Sequence, residues 1–204
     1  MTSPWRERLL LPALALAGAL LLSGIDLGTR AQVARNEQHA ADRVLLDTLT
    51  LPDSARATLE PDGVSADTTL LGLRAPQRIY LARIDGRVAA VLVPVVARDG
   101  FGGDIELLVG VAADGRVAGV RVLRHHESPD FGAVIESGDW MKQFVDQSLA
   151  RTPAEQWRVK DDGGAFDQIT GATITSRAVV DAVKRALLYV TEHRDELLRE
   201  NTHD

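Results

Sequence analysis

The chain has 204 residues, a formal charge of -6 at neutral pH and no cysteine. A composition of 45% hydrophobic, 25% charged and 4% aromatic residues suits one ordinary globular domain plus a short extra element. The acidic balance offers no footprint for nucleic acid. The missing cysteines exclude disulfides, thiolate catalysis, iron–sulfur clusters and covalent c-type haem, so any electron carrier here must be organic.

Residues 1–8 carry Trp5, Arg6 and Arg8, and are followed by Leu9 to Ile25, "LLLPALALAGALLLSGI", 17 residues without a charge. At about 1.5 Å per residue, a helix of that length nearly matches a hydrocarbon core of roughly 30 Å. The preceding arginines predict a cytoplasmic N-terminus and Trp5 an interfacial position. No clean small-x-small cleavage site adjoins the apolar run, which favours an uncleaved signal anchor over a removed signal peptide. The expectation is therefore a single-pass inner-membrane protein with its main domain, residues 51–204, on the periplasmic side. Between anchor and domain, residues 26–50 are charged, with a thin stripe of Val33, Ala40, Val44 and Leu45, and predict a stalk helix.

"LTLPDSARATLEPDGVSADTTL" (49–70) is rich in Pro, Asp, Ser and Thr and predicts mostly loop. The period then shortens to two. Apolar runs flank Asp85-Gly86 and Asp114-Gly115, and Asp-Gly between such runs is a strong hairpin signal because both residues tolerate positive φ. Residues 78–123 should form about four antiparallel strands, with "DGFGGD" as a longer connection. "SGDWMKQFVDQSLA" (137–150) predicts a short helix burying Trp140, Phe144 and Leu149. From about Ser176 a long helix follows, with Val179, Val183, Ala186, Leu187 and Val190 inward and Asp181, Lys184, Arg185 and Glu192 toward water. Sheet first and helices around it predicts an α+β fold, an antiparallel sheet with packed helices.

At the start of that helix stands "FDQITGATITS" (166–176), with four hydroxyl side chains. Thr175 or Ser176 as an N-cap and Gly171 in a turn would explain it structurally. A helix start is also an anion site, since its first N–H groups are free and the macrodipole is positive there. No Gly-Lys-Ser/Thr follows, so this is not a nucleoside-triphosphate loop, but a monophosphate would fit and a threonine hydroxyl could be esterified to it.

Asp167-Gln168-Ile169-Thr170-Gly171-Ala172-Thr173-Ile174-Thr175 resembles the D-x-x-[ST]-G-A-T-x-[ST] signature of the covalent FMN-binding domain family. The resemblance implies FMN held by a phosphoester on Thr175 and installed by a separate flavin transferase. It implies further cofactor contacts from Thr170, Gly171, Ala172, Thr173 and Ile174, with Asp167 before the motif. The continuation into "RAVVDAVKRAL", the glycine-rich hairpins, the "HHESPDFG" segment and the N-terminal anchor resemble, over nearly the whole chain, the G-subunit family of Rnf ion-translocating electron transport complexes. That resemblance implies an electron-carrying subunit of a ferredoxin/NAD-type membrane complex, with other membrane subunits as partners and no independent turnover site. In "HHESPDFG" it adds Glu127 to the cofactor set; Pro129 and Gly132 also match, and Asp130 replaces a glycine, for which its tolerance of left-handed backbone suits it. Two alternatives stay open: the C subunit of the sodium-pumping NADH:quinone reductase, which shares the motif, and a non-redox membrane-anchored binding module.

His125, His126 and Glu127 do not predict a metal site, because neighbouring histidines in a strand point to opposite faces. Asp161 and Asp162 beside Gly163-Gly164 predict a solvated loop.

Overall fold

Turn chemistry sets the register of the sheet. Asp85 and Gly86 both take positive φ, 50° and 79°, which a two-residue type I′ turn demands, and they bring Ile84 opposite Arg87. At the second Asp-Gly pair only Gly115 is left-handed, with φ 88°. Asp114 instead closes that turn through its side chain, Oδ1 accepting the Arg116 N–H at 3.1 Å.

The computed structural model describes residues 57–65 and 68–198, with residues 46, 49 and 50. The predicted anchor, the N-terminus before it and nearly all of the predicted stalk lie outside these. Among the described residues no helix is long and apolar enough to cross a membrane.

Five strands form one antiparallel meander in chain order: β1 (Thr58–Ser65), β2 (Arg78–Ile84), β3 (Arg87–Gly100), β4 (Gly103–Ala112) and β5 (Val117–Arg124). The α+β expectation holds. The additional strand, β1, lies in the stretch that composition assigned to loop. It pairs with β2 from Thr58↔Arg83 to Asp62↔Ile79; as an edge strand it accommodates Pro61, and pairing overrides its weak propensity. The β3–β4 pair runs out to Gly100↔Gly103. "DGFGGD" is therefore not a long connection but the end of a hairpin, with Phe101 and Gly102 at its tip.

Helices follow the sheet: α1 (Pro129–Glu136), α2 (Thr173–Glu192) and a short α3 (Arg194–Leu197). The predicted inward stripe of α2, from Val179 to Val190, is buried and shares the main core with Val91, Val93, Val95, Ile105, Leu107 and Val109 of the sheet. Asp181 and Glu192 face water as predicted. Arg185 does not: its guanidinium donates to the carbonyls of Leu70 and Val96 at 2.9 Å each. Opposite-facing residues of the same strands, Ala82, Ala90, Leu92, Leu108, Ala112 and Ala118, form a second cluster with Leu49. Both faces of β3 are thus covered, so the period-2 polarity alternation fades along it.

The short helix expected at 137–150 is one 3-10 turn, Trp140–Phe144, ended before Asp146, whose φ is 64°. Phe144 is fully buried. Its ring lies 5.4 Å from Trp140, 6.5 Å from Trp157 and 5.1 Å from Phe166. This aromatic cluster packs the irregular 145–172 segment, which otherwise holds itself by local turns, including 3-10 turns at Ala154–Gln156 and Lys160–Asp162, and by backbone bonds such as Lys160 N–H to the Phe166 carbonyl at 2.7 Å. Phe144→Ala should therefore cost about 3–5 kcal/mol, seen as a lower denaturant midpoint in a tryptophan-fluorescence unfolding curve.

Candidate functional site

Three segments meet at one end of the sheet: the β3–β4 tip, the loop between β5 and α1, and the 167–172 loop entering α2. The aromatic cluster positions the last. Trp140 Nε1–H donates to the Asp167 carbonyl at 2.9 Å, and the Asp167 N–H donates to Gln143 Oε1 at 2.8 Å. The Asp167 side chain stays exposed and pairs with Lys160 Nζ at 2.6 Å.

Beyond it, Gly171 turns the chain at φ 81°, and α2 starts at Thr173 rather than near Ser176. The N-cap position is Ala172, with no side-chain cap, so neither Thr175 nor Ser176 caps this helix. Ser176 has a different structural task. Its buried hydroxyl accepts the Ile169 N–H at 2.9 Å and donates to the Ala172 carbonyl at 2.9 Å, tying the entry loop to the helix. The first backbone bond of α2 is Ser176 N–H to the Ala172 carbonyl at 3.0 Å. The N–H groups of Thr173, Ile174 and Thr175 precede it, as anion binding at a helix start requires.

Thr175 is completely buried. Its hydroxyl donates to Glu127 Oε2 at 2.7 Å, while Glu127 Oε1 accepts the Gly102 N–H at 2.9 Å. One carboxylate, itself 7% exposed, thereby joins all three segments. His125 holds the loop from behind. Its Nδ1 accepts the Glu127 N–H at 3.1 Å, which leaves Nε2 as the nitrogen that donates to Glu136 at 3.0 Å. The two histidines follow the end of β5 instead of lying in a strand, and His126 is exposed. Gly132 is required here because a Cβ would strike the His125 ring. Asp130, expected to suit a left-handed position, instead occupies the first turn of α1, where an acid favours the helix dipole.

Phe101, Phe131, Gly171, Ala172, Thr173, Ile174 and Thr175 line a largely apolar cavity of about 240 Å³. Phe101 and Ile174 are 71% and 50% exposed at its rim. Of the residues singled out from sequence, five line this cavity and Glu127 touches Thr175. Thr170 and Asp167 are exposed and outside the lining. Sequence reasoning missed Phe101, Phe131 and Gly102; an aromatic residue inside "GFGG" was the available signal. Asp162 is exposed as predicted, but it is also a strut: Arg177 of α2 grips it with two 2.6 Å bonds, which hold its carboxyl below the usual range.

The FMN-binding domain family matches residues 100–188, a span that begins at the hairpin tip and contains every lining residue. The G subunit of the ion-translocating oxidoreductase complex of Pseudomonas aeruginosa (strain UCBPP-PA14) is 42% identical over 195 residues, covering 95% of this chain and 91% of that protein. Its namesake from Yersinia pestis is 37% identical over 189 residues, covering 92% and 90%. That of Vibrio cholerae serotype O1 (strain O395) is 46% identical over 129 residues, covering 62% of each.

Ser176→Ala should strand the buried Ile169 N–H and lose about 1–3 kcal/mol. Gly171→Ala should lose about 1–2 kcal/mol through its left-handed backbone. Chemical denaturation of the two variants measures both.

Proposed function

Because the chain belongs to the G-subunit family of ion-translocating oxidoreductase complexes, we propose that it carries electrons within such a membrane complex through FMN esterified to Thr175. The supporting observation is one arrangement: the motif's threonine at the inner end of an apolar cavity that opens at a helix N-terminus. The residues present fit the cofactor. Phe101, Phe131 and Ile174 offer apolar walls for an isoalloxazine ring. The free N–H groups of Thr173, Ile174 and Thr175 and the positive helix end suit a singly charged phosphodiester.

FMN, when bound, supplies reversible electron uptake and release; the chain supplies position and access. Exposed Phe101 and Ile174 leave the outer end of the cavity within reach of a neighbouring protein of the complex. The absence of cysteine agrees with an organic carrier. In this reading residues 9–25 anchor the chain in the inner membrane, 26–50 form the stalk, and 51–204 work on the periplasmic side. A covalent bond has a physical purpose there, since dissociated FMN would be lost. A flavin transferase is the maturation partner, and the other subunits of the complex are the electron partners.

Relatives covering more than nine-tenths of the chain carry the G-subunit name, which weighs against the C subunit of the sodium-pumping reductase. The FMN-binding domain match weighs against a non-redox module.

The test is intact mass and in-gel fluorescence after denaturation, on the full chain made together with an active flavin transferase. Wild type and Ser176→Ala should carry the flavin mass, and Thr175→Ala should lose it. The Thr175→Ala fold should survive, at a cost of about 1–3 kcal/mol for leaving Glu127 Oε2 without its donor. Flavin retained in Thr175→Ala would move the attachment to another hydroxyl. A flavin-free wild type would remove the electron-carrying reading.

A further inference from the structure

The ester and the hydrogen bond in this structure compete for one atom. Thr175 Oγ1 must lose its proton and gain a bond to phosphorus, yet it is fully buried and its proton already bonds Glu127 at 2.7 Å. Resting on Thr175 as the attachment site, we infer that the closed apoprotein is not the form that receives the flavin. Glu127 is a positioning residue that latches Thr175 shut, and attachment takes place on a conformer in which the 125–128 loop and hairpin tip have parted from the first turn of α2.

Geometry and charge support this from both sides of the reaction. Transfer from a flavin nucleotide activated as a pyrophosphate forms the Oγ1–P bond and breaks the P–O bond to the leaving nucleotide monophosphate. The leaving group takes the electron pair, and the Thr175 proton passes to a general base of the transferase. A second protein must bring its active site to Oγ1 for this, and Thr175, although it borders the inner end of the cavity, has no exposed surface of its own. Once the ester exists, Oγ1 has no proton to donate. The phosphodiester then places a negative charge beside the Glu127 carboxylate, where like charges at low dielectric repel strongly. The latch therefore cannot re-form, and the Gly102–Glu127 bond that depends on the same carboxylate must rearrange with it.

The side that yields is the loop. Residues 125–128 have no regular structure between β5 and α1, and the Glu127 N–H is held by a side chain, His125, rather than by a backbone ladder. The first turn of α2 is tied down by Ser176. The fit of tip to loop is also close, because a Cβ on Gly102 would strike the His126 carbonyl. Gly102→Ala should thus prise the tip from the loop while keeping both Glu127 and Thr175.

The experiment uses full-length apoprotein made without a transferase and purified in detergent. It is then given the transferase, Mg²⁺ and flavin adenine dinucleotide, and covalent mass is followed over time. Glu127→Ala and Gly102→Ala should each label about tenfold faster than wild type or more, since a hydrogen bond to a buried carboxylate has been removed or weakened. Equal rates in all three proteins would overturn the latch. A slower Glu127→Ala would also overturn it, by making Glu127 the proton acceptor of the transfer. Slow amide exchange across β3, β4 and α2 must persist in both variants, so that fast labelling of an unfolded chain does not count in favour. Wild type supplies a second measurement free of variants. The Gly102 amide should be protected in the apoprotein and exchange faster in protein loaded during expression; equal protection would overturn the inference. Label appearing on Thr175→Ala would show instead that the attachment site itself was wrong, whatever the rates.

Discussion

A single buried carboxylate organises this end of the molecule. Glu127 accepts the Thr175 hydroxyl with one oxygen and the Gly102 N–H with the other. It thereby connects three segments that share no backbone pairing with one another in this region: a hairpin tip, an irregular loop and a helix start. A buried carboxylate is costly unless its oxygens are satisfied. The three segments must therefore keep their relative positions for the site to hold together. Gly100 and Gly102 belong to the same requirement, since a side chain at either would collide with Glu127 or its backbone neighbours.

Around that contact the molecule divides into rigid and irregular parts. The sheet and α2 share one apolar core and set the ends of β3, β4 and α2 in space. The irregular 145–172 segment depends on aromatic packing, with Trp157 and Phe166 ring centres 4.6 Å apart, and on a parallel bridge between Val159 and Phe166. The approach to the motif is held jointly by side-chain packing and by short backbone turns rather than by a long helix or strand.

The hydroxyl-rich motif illustrates how alike residues separate into different tasks. Ser176 is structural, closing the entry loop on the helix through two hydrogen bonds. Thr175, one position earlier, points to a different partner because successive helical side chains are turned by about 100°. Thr170 faces solvent, and Thr173 lines the cavity. Thr175 alone of these hydroxyls donates to Glu127, and it stands beside the cavity.

Much of this was legible in the residues themselves. Alternating apolar runs around Asp85-Gly86 and Asp114-Gly115 determined the antiparallel hairpins, because turn backbone and side-chain period are local properties. The helical stripe from Val179 to Val190 determined which face of α2 is buried, because the helical period is local as well. What depends on distant pairing was not legible. β1 looks like loop until β2 supplies its hydrogen bonds. Arg185 looks like a surface residue until the carbonyls of Leu70 and Val96 come within reach. Phe101 and Phe131 become walls of one cavity only when a hairpin tip and α1 meet the start of α2. The bond from Thr175 to Glu127 spans 48 positions of chain. No local pattern encodes it, because it exists only once the sheet and the helix core have folded and carried the two side chains to the same point.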